Sequence, residues 1–251
     1  LGLLIILLLI SLPFLIGSIE VTLSELKSLI LGEAVTDGKL MYVQIYDDTP
    51  PLASLLFGFI DMLFGRSLVA RHILALLIIF FQASYFAIIL IHNKVYTENT
   101  YLAALVFGIL SFFSFDVLSF SPELLASTVL LFALNHLFNA IEFKVQRDDV
   151  LLKLGMYLGI ATFIVFSYWV FLVATLFILI VFTRSGFRKI ALLIFGFLIP
   201  HLLLMTFYYY RNGLDELLTN FYWSNLSLSG EMVISFKGLM ALSAVPLVYF
   251  V

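Results

Sequence analysis

Apolar runs of about 17 to 25 residues recur along this chain, the length at which a helix crosses a hydrocarbon core of roughly 30 Å. That recurrence constrains the fold more than any motif does. In lipid every backbone polar group must find its partner inside the protein, so a spanning segment is either a helix or a strand of a closed barrel. Barrel strands would be about 10 residues long with alternating polarity, and that pattern is absent from the sequence. Composition agrees: 63% of residues are hydrophobic and 12% charged, against roughly 25% charged in soluble domains. The expectation is an all-α, polytopic integral membrane protein.

About eight spans are expected, at 1–17, 66–91, 99–115, 122–142, 150–166, 168–184, 188–209 and 233–251, in a single transmembrane domain over 1–251. Residues 1–16 have the length of a signal-peptide core, but no Ala-x-Ala-like site follows, so a retained first span is expected. Between the fifth and sixth spans the only break is Ser167-Tyr168-Trp169, compatible with a tight hairpin or one bent helix. Charge favours the hairpin. With it, Lys94, Lys144, Arg147, Lys153, Arg184, Arg188 and Lys189 share one side with four acids, net +3, and the other side carries −6. Short loops rich in Lys and Arg stay cytoplasmic. The expected layout is a bacterial inner membrane protein with a cytoplasmic amino terminus. Its acidic loop 17–65 and the segment 210–232 then lie on the periplasmic side. Tyr208-Tyr209-Tyr210 and Tyr222-Trp223 fit interfacial aromatic belts, and Gly155-Met156-Tyr157-Leu158-Gly159 offers a small face for close helix approach.

Several function classes drop out. A net charge of −3 with no Lys/Arg block leaves nothing to neutralise phosphates along a duplex, so no nucleic-acid partner is expected. With no cysteine there is no disulfide, thiolate metal site or thiol chemistry. Membrane lipids are expected partners, and chemistry is sought in the loop, where six acids lie between Glu20 and Asp48. Thr22-Leu23-Ser24-Glu25 has the form of a capping box opening a short interfacial helix that Gly32 would end. Asp48-Thr49-Pro50-Pro51 reads as a second helix start, with a capping side chain ahead of proline, for a helix over about 50–65. Asp37-Gly38 reads as a turn.

The order of these pieces resembles the first outer loop of C-type (GT-C) glycosyltransferases, in the branch of protein mannosyltransferases and aminoarabinose transferases. The residues that carry the likeness are Gly38-Lys39-Leu40-Met41-Tyr42 through Asp47, then Pro50-Pro51-Leu52, Phe64-Gly65-Arg66-Ser67 and Arg71. Ser121-Pro122-Glu123-Leu124-Leu125 and Tyr210-Arg211-Asn212-Gly213 are similar to further elements of that branch. The resemblance implies transfer of a sugar from a polyprenyl-phosphate donor on the outer leaflet, with inversion at the anomeric carbon. That branch usually carries Asp just after the first span. The equivalent place here is Ser24-Glu25, which leaves Glu25 as the matched carboxylate. The same scaffold without catalysis implies a second class, an integral membrane subunit holding protein partners in an envelope complex.

The candidates follow from what such a transfer needs: a base for the acceptor hydroxyl and positive charge for the departing phosphate. Glu25 and Asp47 are the candidate catalytic carboxylates, against readings as a capping residue and a loop-fixing hydrogen-bond acceptor. Arg71, inside the second span, is a candidate phosphate ligand or a side chain that snorkels to the interface. Arg211 is a lipid-phosphate ligand or a headgroup-level anchor. Glu123 and His201 complete the substrate-binding set. A metal shared by those two has no supporting ligand spacing, and a lone intramembrane histidine is more often an interhelical hydrogen-bonding group. His72 is turned about 100° from Arg71 on a helix, so the two are not expected to face one site equally.

Overall fold

Lipid-soluble sequence gives helices throughout. A computed structural model describes residues 2–16, 23–95, 101–111, 120–142, 148–183 and 186–226. Among these there is no strand, only an isolated bridge between Met41 and Ile45. The helices are α1 (Gly2–Ile16), α2 (Leu23–Thr36), α3 (Pro51–Phe64), α4 (Leu68–His92), α5 (Leu102–Ser111), α6 (Pro122–Glu142), α7 (Asp148–Thr162), α8 (Trp169–Thr183) and α9 (Phe187–Tyr210). A segment follows of α10 (Leu214–Leu217), a π-helix (Leu218–Trp223) and α11 (Ser224–Leu226).

Among the described residues three helices, Leu68–His92, Pro122–Ile141 and Phe187–Tyr210, are long and apolar enough to cross a membrane. Of the other expected spans within reach, the described helical parts are shorter. α1 and α8 have 15 residues each and α5 has 10, so at 1.5 Å per residue they reach about 15–23 Å. α7 opens on Asp148-Asp149, which keep its first turn polar, and carries Lys153 in the next. The span expected at 233–251 lies outside the described residues.

α7 is the centre of the bundle, and glycine puts it there. A Cβ on Gly155 would sit 2.2 Å from the Leu193 carbonyl oxygen, and one on Gly196 would sit 2.3 Å from that of Leu152. Only glycine lets the α7 and α9 backbones come so close. The contacts climb together, Leu152 against Gly196 and Thr162 against His201, so the two helices run parallel. The chain must therefore reverse between them. Leu179 of α8 packs in one cluster with Leu151 and Leu154, residues it would lie about 40 Å from in one continuous helix. The break at 163–168 is a hairpin.

α2 and α3 form a second hairpin, and here two expectations need correcting. Gly32 does not end α2; the helix runs on to Thr36 and stops at Asp37-Gly38, where Gly38 takes φ +82°. Gly32 instead lets α3 approach, since a Cβ there would lie 2.8 Å from the Phe57 carbonyl oxygen. Nor does Asp48 or Thr49 cap α3. Its N-cap is Pro50, without a side-chain cap, and the free N–H groups of Leu52 and Ala53 donate to the Phe163 carbonyl at 3.0 and 3.3 Å. A backbone carbonyl from the α7–α8 turn thus satisfies the orphan donors of a distant helix start. The capping box at Thr22 lies outside the described residues.

Candidate functional site

The loop between α2 and α3 is built around Tyr42. That residue is fully buried and adopts φ +68°, a left-handed conformation costly for a bulky side chain unless its surroundings fix it. They do. Its N–H donates to the Ile45 carbonyl, its hydroxyl donates to the Thr49 carbonyl at 2.6 Å, and its own carbonyl accepts from Asn220 Nδ2 at 3.1 Å. Its ring packs against Tyr208 and Phe221. Asn225 Nδ2 donates to the Asp48 carbonyl at 3.0 Å. The two segments expected on the outer side therefore dock on each other, with the π-helix as the clasp.

This docking shapes a cleft of about 260 Å³. One wall is α2, with Lys27 and Ser28. The loop adds Asp48 and Thr49, the start of α6 adds Glu123, and the turn after α7 adds Ile164 and Ser167. Lys27 Nζ lies 3.3 Å from Asp47 and 3.1 Å from Asp48. Burial pulls the Lys27 pKa down, but the Asp48 hydrogen bond and the Asp47 and Asp48 charges outweigh it, and the net shift is upward. Asp47 Oδ1 also accepts from the Thr49 N–H at 2.7 Å, an Asx turn that sets the chain's entry into α3.

Behind the α2 wall lies a buried charged cluster. Arg71 is 2% exposed; its Nη1 faces Ser28 Oγ at 3.4 Å and its Nη2 lies 3.9 Å from Asp61 Oδ1. Arg71 Nε, Arg71 Nη2 and Asp61 Oδ1 have no hydrogen-bond partner among the described residues. A pair this deep and this loosely joined is costly, because buried charge is repaid only by close, fully hydrogen-bonded geometry. Beside it His72 Nε2 lies 3.5 Å from Glu25 Oε1, while His72 Nδ1 meets the Leu68 carbonyl at 2.8 Å.

Of the residues picked from sequence, Glu123 lines the cleft and Asp47 sits at its edge on Lys27. Glu25 and Arg71 lie one layer behind, through Lys27's neighbour Ser28. Glu25 is 5% exposed and does not line the cleft. Arg71 and His72 both reach α2, where Glu25 and Ser28 stand three residues apart on one helix face, but they face different groups, Arg71 toward Ser28 and Asp61 and His72 toward Glu25. His201 is elsewhere. It joins Thr162 Oγ1 at 3.0 Å to the Tyr222 hydroxyl at 2.8 Å, tying α7, α9 and the π-helix together. Arg211 caps α9 and lies over the Phe207 ring at 5.8 Å, outside the cleft. Among the described residues no three His, Asp or Glu are grouped to hold a metal.

Lys27, Ser28, Asp48 and Asp61 were not among the expected site residues. Two of them carried a signal: Lys27 is one of two bases between Glu20 and Asp48, and Asp61 is the lone charge in an otherwise apolar α3. Ser28 and Asp48 became relevant only through packing. Comparisons of this chain with protein families, curated proteins and solved structures found no match.

Proposed function

We propose that this chain is a GT-C-like membrane protein that transfers a sugar from a polyprenyl-phosphate donor to an envelope acceptor on the periplasmic side of the bacterial inner membrane. In this reading it crosses the membrane about eight times, with its amino terminus in the cytoplasm. The observation that carries the proposal is the meeting of Lys27, Asp48 and Glu123 on one cleft, with Arg71 directly behind Ser28. Donor phosphate takes Lys27 and releases Asp48. Asp48, with Asp47 beside it, then accepts the proton of the acceptor hydroxyl as that oxygen attacks the anomeric carbon. The bond from that carbon to the phosphate oxygen breaks with inversion, and the electron pair leaves with the phosphate, toward Lys27 and Arg71.

The test uses the full chain in liposomes with a polyprenyl-phosphate-linked labelled sugar and an envelope extract as acceptor. Label moves to the extract with the wild-type protein, and Asp48→Asn or Lys27→Met slows it by about a hundredfold or more. No transfer by the wild type overturns the reading.

One observation favours the alternative of a non-catalytic subunit in an envelope complex. Asp47 and Asp48 both already face Lys27, and Glu25 faces His72. That reading expects a protein partner to co-purify in fixed ratio, and unchanged cell function in Glu25→Gln and Asp47→Asn variants.

A further inference from the structure

Two cavities share Ile164 as a wall. One is the polar cleft; the other is an apolar groove of about 410 Å³ between α3, α4, α6 and α7. Leu56, Leu77, Phe81, Leu125 and Val129 line the groove, and Thr128 is its one polar side chain. Leu77 and Phe81 are about half exposed, so the groove opens sideways along α4, one of the membrane-length helices. α6 connects the two cavities: Glu123 faces the cleft, and Val129, about 9 Å further along the axis, faces the groove. A polar head in the cleft and an apolar chain in the groove therefore fit one elongated molecule.

Charge selects the head. Lys27 offsets only one of Asp47 and Asp48, and Glu123 has no ion pair among the described residues. Among the described residues the rim keeps two uncompensated negative charges. The geometry points to a binding site for a membrane amphiphile with an ammonium-bearing head, its cation at Glu123 and Asp48 and its tail in the groove. An anionic head of equal tail length meets repulsion on the same rim. Within the proposed transferase this amphiphile is the acceptor, held on the α6 wall while donor phosphate takes the α2 wall. That role rests on the transferase reading; the binding does not.

The test reads binding without sugar transfer. The full chain in phosphatidylcholine nanodiscs is irradiated with a diazirine-tailed alkylamine or, separately, the fatty acid with the same tail. The alkylamine labels the α4 and α6 peptides holding Leu77, Phe81, Leu125 and Val129. Its yield exceeds the fatty acid's by about tenfold, the range for two half-exposed charge pairs. Glu123→Gln combined with Asp48→Asn brings the two yields together, and Val129→Trp lowers both alike. Equal yields in the wild-type chain, or adducts outside the groove, overturn the proposal. A labelled groove in a protein that transfers no sugar overturns the transferase reading alone.

Discussion

Arg71 concentrates the physical tension in this protein. A guanidinium 2% exposed, with one long hydrogen bond to Ser28, an ion pair to Asp61 at 3.9 Å, and Nε and Nη2 without a hydrogen-bond partner among the described residues, is held more by packing than by its own bonds. Arg71→Met leaves Asp61 without its cation and is expected to cost about 3–5 kcal/mol. Arg71→Met with Asp61→Leu recovers most of that, because both charges leave together. Unfolding in detergent micelles measures both, and a double variant no more stable than the single one contradicts the account. Lys27 gives a pH signature. Its folded pKa lies above the ordinary 10.5, so its contribution to loop docking is complete below that value and fades as pH rises past it. Proteolysis of the 37–50 loop should be flat from about pH 7 to 10 and rise above, and Lys27→Met should abolish the rise.

At the level of elements, the α7–α9 seam governs stability. The oxygen 2.3 Å from a Cβ at Gly196 is backbone and cannot swing aside, so Gly196→Ala should cost about 1–3 kcal/mol by overpacking. Gly186→Ala, with open space around it, should cost almost nothing in the same unfolding assay. This seam was readable, since Gly155 and Gly159 stand four apart in an apolar run. The ends of α2 and α3 were not. Gly32 has the chemistry of a helix stop but is needed for contact with Phe57, and the cap of α3 comes from Phe163, more than a hundred residues away. Local sequence rules see neither partner. Burial explains Glu25 similarly: its spacing from Tyr42 was legible, but its pairing with His72 depends on how α2 lies on α4.

For the whole molecule, the all-α class and the membrane character follow from hydrophobicity alone, and three helices of spanning length among the described residues express them. The turn between α7 and α8 was harder to place, because hydropathy marks an apolar stretch without marking where a turn cuts it. Sidedness is the property to measure. The chain has no cysteine, so Lys39→Cys and Lys153→Cys give single labels in a silent background. With the proposed layout, an impermeant maleimide labels the first in intact cells with a permeable outer membrane, and the second only after lysis. Both labelled from one side would reject the layout.

The Phe163 carbonyl that receives the first N–H groups of α3 sets the gauge of the cleft. It pins the Thr49–Pro50 edge to the Ile164–Ser167 edge through the backbone, where no rotamer change can loosen the hold. The aperture cannot widen by parting these rims. Access then depends on the side chains at the open face, where Lys27 and Asp48 are about half exposed, and a guest meets those charges without any movement of the backbone.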